Sequence, residues 1–145
     1  MTGADIALEA RRWIGTPYRH RAARIGVGCD CLGLVIGVRA GLGLATTEPP
    51  YYAPDWAEVG GRERLAQACE AILDPVRAGA PDAEPAAGDV LLFRWREGRP
   101  ASHLAIATGG GTIVHTHVRA AVAEVPLTPS WRRRLAATYR FRETS

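Results

Sequence analysis

The chain has 145 residues, 47% of them hydrophobic and 23% charged, a balance that excludes disorder and, with no internal repeat, fibrous designs. Its length fits one domain spanning residues 1–145, able to bury about 70% of the surface its unfolded chain exposes without a metal or disulfide. The formal net charge of +3 comes from arginine alone, since the chain has no lysine; no zinc-finger or RRM motif accompanies it and no apolar run approaches the roughly 18–20 residues of a membrane span, so neither a nucleic-acid nor a membrane partner is expected.

Asp5 to Ile14 is expected to form an amphipathic helix, with Ile6, Ala7, Ala10, Trp13 and Ile14 at helical spacing and Gly15-Thr16-Pro17 ending it. An irregular, Arg-rich segment follows from Tyr18 to Val27. Asp30 is a good N-cap for a second helix, from Cys31 to about Ala40, apolar nearly all round and hence central and buried. Gly41 and Gly43 should stop it. Thr46 to Trp56 reads as an ordered loop, Gly61 to Leu73 as a third helix closed by Asp74-Pro75, and Ala78 to Ala87 as a flexible connection. The period then changes. Asp89–Trp95, Ser102–Thr108, Thr112–Val118, Ala121–Pro126 and Thr138–Arg142 read as short strands joined by turns. Helices followed by an antiparallel meander make an α+β layout, with the N-terminal helices packed on a curled sheet.

The three cysteines, Cys29, Cys31 and Cys69, cannot all pair, and Met1 to Glu9 has no signal-peptide pattern, so free thiols are expected. Cys31 stands on the first turn of the central helix, where backbone N–H groups and the helix dipole favour a thiolate, the attacking form of cysteine. His103 begins a strand whose alternation puts it on one face with Ala105 and Ala107. If the triple-glycine loop 109–111 pairs Thr108 with Thr112, then His117 sits opposite His103 and His115 is its diagonal neighbour on the same face. A cysteine nucleophile needs a base and a group that orients the base. The chain has no asparagine, so the orienter is a His, Asp, Glu, Gln67 or a backbone carbonyl, and His115 can fill the role.

The blocks Trp13-Ile14-Gly15-Thr16-Pro17-Tyr18, Asp30-Cys31-Leu32-Gly33-Leu34-Val35, Gly88-Asp89-Val90-Leu91-Leu92-Phe93, Ser102-His103-Leu104-Ala105-Ile106 and Ile113-Val114-His115 together resemble the NlpC/P60 cell-wall cysteine peptidases. They occur in the family's order and span roughly residues 6–117. The resemblance implies a papain-like α+β fold with Cys31 as nucleophile, His103 as base and His115 as third member. It implies that Tyr18 lines the cleft, that Asp30 and Ser102 bind the free amine of a peptidoglycan stem peptide, and that no cofactor is needed. Arg19-His20-Arg21-Ala22-Ala23 replaces the family's Trp-Gly-Gly-like stretch, Cys29 the usual Phe, and Leu32 the usual small residue after the nucleophile.

The expected activity is hydrolysis of the γ-D-glutamyl–diamino acid bond through a thioester. The Tyr51–Trp56 loop is similar to that of tail-associated peptidases of phages and gene transfer agents. The expected setting is therefore a chain made in the cytoplasm without a signal peptide, assembled into a phage-like tail with tail or baseplate partners, and acting on the wall. The alternatives are an amidase at the muramoyl–L-Ala bond, a non-catalytic tail or wall-binding protein, and a zinc enzyme using Cys29, Cys31, His103, His115 and His117. Against zinc stands the absence of Cys-x-x-Cys and His-Glu-x-x-His spacing. Trp131-Arg132-Arg133-Arg134 is expected to be a solvated C-terminal cap.

Overall fold

A computed structural model describes residues 1–44, 52, 56–76 and 84–142. The expected loop at 46–56 is represented only by Tyr52 and Trp56, and most of the expected connection at 78–87 lies outside the described residues. Helix α1 runs from Gly3 to Arg11. It starts earlier than the spacing suggested because Thr2 and Asp5 form a reciprocal capping box. The Arg-rich segment forms a small hairpin, β1 (Ala23–Arg24) with β2 (Gly28–Cys29). Helix α2 spans Cys31–Gly41 and α3 spans Arg64–Ile72.

Eight residues of α2, Leu32 through Arg39, are buried. Burying each of its aliphatic side chains contributes about 1.5–3 kcal/mol, and no polar face is left over. The helix is central because α1 can come close: the Trp13 ring fills the space beside Gly37, where a Cβ would lie 2.1 Å from the indole. Gly33 does the same at the N-terminal end, admitting the Ala22 carbonyl. The helix therefore starts tight against the β1–β2 hairpin.

The main sheet is six-stranded and antiparallel, in the order β3-β8-β4-β5-β6-β7. Its strands are β3 (Leu73–Pro75), β4 (Val90–Phe93), β5 (His103–Ala107), β6 (Thr112–His115), β7 (Ala123–Pro126) and β8 (Leu135–Phe141). Strand β3, which the Asp-Pro pair disguised as a helix end, occupies one edge, where proline costs no ladder bond. One sheet face carries Val90, Leu92, Leu104, Ile106 and Val114 into the core shared with α2. The other carries Leu91, Phe93, Ala105, Ala107 and Ile113 against Leu127 and Trp131. Trp131 belongs to α4 (Pro129–Arg133), a short helix absent from the sequence reading.

Register follows from the glycine turn. Gly109 and Gly111 have φ of +86° and +80°, values that a side chain would strain. The Thr108 N–H donates to the Thr112 carbonyl at 3.1 Å. Ala105 then pairs with His115, Ile106 with Val114 and Ala107 with Ile113, the register expected from sequence. Strand β6 ends at His115, so His117 lies beyond the ladder.

Candidate active site

Cys31 opens α2 because Asp30 caps it. The Asp30 Oδ1 accepts the Gly33 N–H at 2.7 Å, a cap worth about 0.5–2 kcal/mol. The sulfur is pulled two ways. The backbone N–H groups of Leu104, Leu32 and Cys31 itself favour the thiolate, whereas burial first, and then the Asp30 carboxylate, disfavour it. The second group wins, and the thiol is pushed up to about 12. The helix start does favour the thiolate, as expected, but burial and the Asp30 carboxylate, which no local pattern showed to be decisive, outweigh it. Cys29 and Cys69 are pushed up to about 12 as well, also mainly by burial. Both are fully buried, while Cys31 keeps part of its surface open.

His103 and His115 meet. The His103 Nε2 and His115 Nδ1 are 2.9 Å apart, both rings are buried, and their planes are nearly perpendicular. The diagonal neighbour therefore makes the contact, and exposed His117 stands 6.1 Å from the His103 centroid. Burial, reinforced by the neighbouring histidines, holds His103 down to about 3 and His115 down to about 4. Both are neutral imidazoles at pH 7.

What keeps the pair dry is the C-terminal stretch. Trp131 stacks on His103 at 5.3 Å with planes 24° apart and meets His115 edge-on at 5.4 Å. Phe93 and Trp95 complete the wall around His103. Trp131 is only half-exposed, which corrects the expectation of a solvated cap there. The small side chains of Ala105 and Ala107 leave room for α4 and not for the Cys31 helix. A signal was available: Thr128 before Pro129 spells a helix start, and the Thr128 side chain indeed accepts the Trp131 N–H.

The nearest link between the two halves runs through β5: Ser102 lines the same cleft as Cys31, one residue before His103, and the backbone N–H of Leu104 is among the groups that favour the Cys31 thiolate. Among the described residues no hydrogen bond joins the Cys31 sulfur to the His103 ring. Since His103 spends Nε2 on His115, its Nδ1 is the nitrogen free to take a proton.

A cleft of about 60 Å³ gathers Tyr18, Asp30, Cys31 and Ser102 with Tyr52 and Trp56. Four residues singled out in the sequence therefore share one wall. Burial, with Asp30 beside it, pushes the Tyr18 phenol up to about 12, so it stays a neutral donor. Asp30 is already engaged. Its Oδ2 accepts the Arg21 N–H at 2.8 Å and a short bond from the Tyr52 hydroxyl, and His20 Nδ1 lies 3.9 Å away. Tyr52 is held in turn by stacking on Trp56 and by His20 Nε2 against its carbonyl. Tyr52 and His20 were missed as site residues, because their link spans 32 residues and leaves no local pattern. Among the described residues, no group of three or more His, Cys, Asp or Glu is placed to hold a metal.

Residues 15–140 match the NlpC/P60 family. No curated protein sequence matches the chain significantly. Among solved structures, an NlpC/P60 family protein from Bacillus cereus superposes with a TM-score of 0.66 at 21% identity, covering 97% of this chain and 40% of that one. The chain thus spans two fifths of the Bacillus protein. The NlpC/p60 domain of the peptidoglycan hydrolase SagA gives 0.59 at 22% identity, covering 97% of this chain and 100% of that domain. RipD from Mycobacterium tuberculosis, described as a non-catalytic NlpC/p60 domain protein adapted to peptidoglycan binding, gives 0.54 at 17% identity, covering 99% and 98%. At these identities the superpositions establish the fold.

Proposed function

The chain belongs to the NlpC/P60 family, and from that premise we propose that it is a cysteine endopeptidase cutting peptidoglycan stem peptides between γ-D-glutamate and the diamino acid. The observation that carries this reading is the buried His103–His115 hydrogen bond, together with a partly open Cys31 at the start of α2 that shares a cleft with Ser102, the neighbour of His103.

The tautomers follow. For His103 to accept a proton at Nδ1, its Nε2 must carry the hydrogen and donate to His115 Nδ1. His115 then carries its own hydrogen on Nε2. Because thiol and imidazole are both neutral at rest, proton transfer accompanies attack. Cys31 Sγ bonds to the carbonyl carbon as its proton passes to His103 Nδ1. The oxyanion is met by backbone N–H groups, that of Cys31 among them. His103 gives its proton to the departing amine and leaves a thioester. Water, deprotonated by His103, then releases the acid and restores the thiol. His115 accepts the hydrogen bond that fixes the imidazole and stabilises the charge it acquires.

Asp30 and Ser102 are proposed to receive the free ammonium of a stem peptide. Tyr52 holds Asp30 Oδ2 until the substrate exchanges with it. An amidase acting on the muramoyl–L-Ala bond would meet no such ammonium, and the carboxylate in the cleft favours the endopeptidase. A second reading is peptidoglycan binding without hydrolysis, favoured by the missing Cys31–His103 hydrogen bond. The setting we propose, a phage-like tail that digests the wall locally, rests on the sequence of the 51–56 loop. Mass spectrometry of products from purified peptidoglycan separates the readings. A new free amine on the diamino residue supports the endopeptidase, whole stem peptides support the amidase, and retention without products supports the binding protein.

A further inference from the structure

The cleft does not stop at Ser102. On its far side lies a second, wider groove of about 420 Å³, lined by Glu58, Trp95, Arg96, Arg99, Pro100 and Ser102. Glu58 and Ser102 belong to both spaces, so a bound chain can pass from one into the other. We propose that this groove is a subsite for a substrate carboxylate, held by Arg96 and Arg99. The proposal rests on the endopeptidase reading and deepens it, because it names the part of the stem peptide that lies beyond the amine end.

Three observations carry it. The first is that the groove is built. Its floor is the β4–β5 connection, whose shape is fixed by the neighbouring Arg94. That guanidinium donates to Glu63 Oε1 at 2.5 Å and to the Arg99 carbonyl, and Glu63 Oε2 accepts the Ala101 N–H at 2.9 Å. The Arg99 N–H closes a turn on the Arg96 carbonyl at 3.2 Å, and Ser102 N–H closes the hairpin on the Phe93 carbonyl. A loop held in this way has less freedom to lose on binding.

The second observation is the contrast among the three arginines of this loop. Arg94 is half-buried and spent on Glu63 and the loop backbone. Arg96 and Arg99 are exposed, and among the described residues no side-chain hydrogen bond or ion pair engages either guanidinium. Two unengaged planar forks beside one cavity match a carboxylate better than any neutral group.

The third is position. Trp95, which shares the groove with the arginines, lies 5.3 Å from the His103 ring. The groove is therefore one side chain from the proposed base. Charge runs in one direction along the joined cleft: Asp30 in the inner space, Glu58 at the junction, Arg96 and Arg99 at the outer end. A peptide with its ammonium at Asp30 and a carboxylate a few residues on lies along that gradient, and the reverse orientation opposes it.

A stem peptide offers this carboxylate from two sources, the α-carboxyl of the D-glutamyl residue or the side-chain carboxyl of a diaminopimelyl residue. Three synthetic stem peptides distinguish them: one with both carboxyls, one with the D-glutamyl α-carboxyl as its amide, and one with lysine in place of diaminopimelate. Michaelis kinetics are measured for the natural chain and for the double variant Arg96→Gln, Arg99→Gln. We expect KM for one of the altered peptides to rise about tenfold over the parent in the natural chain, the scale of a charge-assisted contact, and that peptide identifies the source. In the double variant the parent should lose the same advantage. Equal KM values for all three peptides in the natural chain, or discrimination that survives in the double variant, overturns the proposal. Should no peptide be hydrolysed, the endopeptidase reading fails by itself. Calorimetric titration of the three peptides into the Cys31→Ala protein, with and without the arginine pair, then decides the subsite by the same ranking of affinities.

Discussion

The two halves of the proposed site, the sheet that carries the histidines and the helix start that carries the thiol, hold their chemistry by opposite means. On the sheet side, His103 and His115 share one hydrogen bond and are otherwise packed among Phe93, Trp95 and Trp131. On the helix side, Cys31 sits in a polar mesh in which Asp30 alone takes bonds from Gly33, Arg21 and Tyr52. Aromatic packing leaves the proposed base neutral and oriented, and burial makes its one hydrogen bond count. The polar mesh fixes backbone direction at the helix start and puts an anion beside the thiol, which raises it further. What separates the two halves is therefore the means and not the result: the polar mesh and the aromatic packing both favour the neutral group, thiol on one side and imidazole on the other.

The largest effects should come from the sheet side. His103→Ala should cost about 10²–10⁴-fold in kcat, the usual worth of a general base. His115→Ala should cost less, and His115→Gln should recover part of the loss because an amide oxygen can accept the Nε2 hydrogen. Steady-state kinetics on a stem peptide check both. Equal losses from the two alanine variants would mean that His115 does more than orient.

The pH dependence sharpens the same contrast. A general base works only when neutral, and His103, proposed for that role, and His115 are held down to about 3 and about 4. The acid limb of kcat/KM should therefore fall near pH 3–4, well below the ordinary imidazole value of about 6.5. The unfolded chain binds protons on these histidines from pH 6.5 downward, while the folded chain resists until pH 3–4. Their contribution to stability is thus full above 6.5 and is lost as pH falls toward 3–4. Thermal melts across that range should decline, and less steeply for His103→Gln.

Trp131→Ala opens the aromatic wall. Removing a half-buried indole stacked on His103 should cost about 2 kcal/mol of stability and let water reach the pair. The acid limb of the rate profile should then move upward, a change that loss of packing elsewhere would not produce. Tyr52→Phe is the mildest test, on the polar side. It should cost about 1 kcal/mol for one lost hydrogen bond and release Asp30 Oδ2. KM for stem peptides with a free amine should fall, while acetylated peptides stay unchanged.

How much of this was legible in the sequence depended on the range of each interaction. The α2 start was readable because Asp30, Cys31 and Gly33 act within one turn. The His103–His115 pairing was readable because three glycines fix a short turn and strand alternation does the rest. The edge strand β3 was hidden by Asp74-Pro75, residues that more often end an element, whereas α4 carried a start signal in Thr128-Pro129 and only its five-residue length obscured it. The Trp131 wall, the Tyr52–Asp30 bond and the raised Cys31 thiol all depend on contacts between distant segments, which no local pattern encodes.

Cys31 is the proposed attacking thiol, although burial and Asp30 favour its neutral form. Stoichiometric iodoacetamide labelling, with peptide mapping and residual hydrolysis followed in the same samples, tests it directly. All three thiols are raised, but Cys29 and Cys69 are fully buried and Cys31 is partly open. One carboxamidomethyl group should form on Cys31, slowly at pH 7 and faster with alkali, with hydrolysis lost in proportion. Full activity in protein modified at Cys31, or loss of activity with Cys31 untouched and Cys29 or Cys69 labelled, would contradict it.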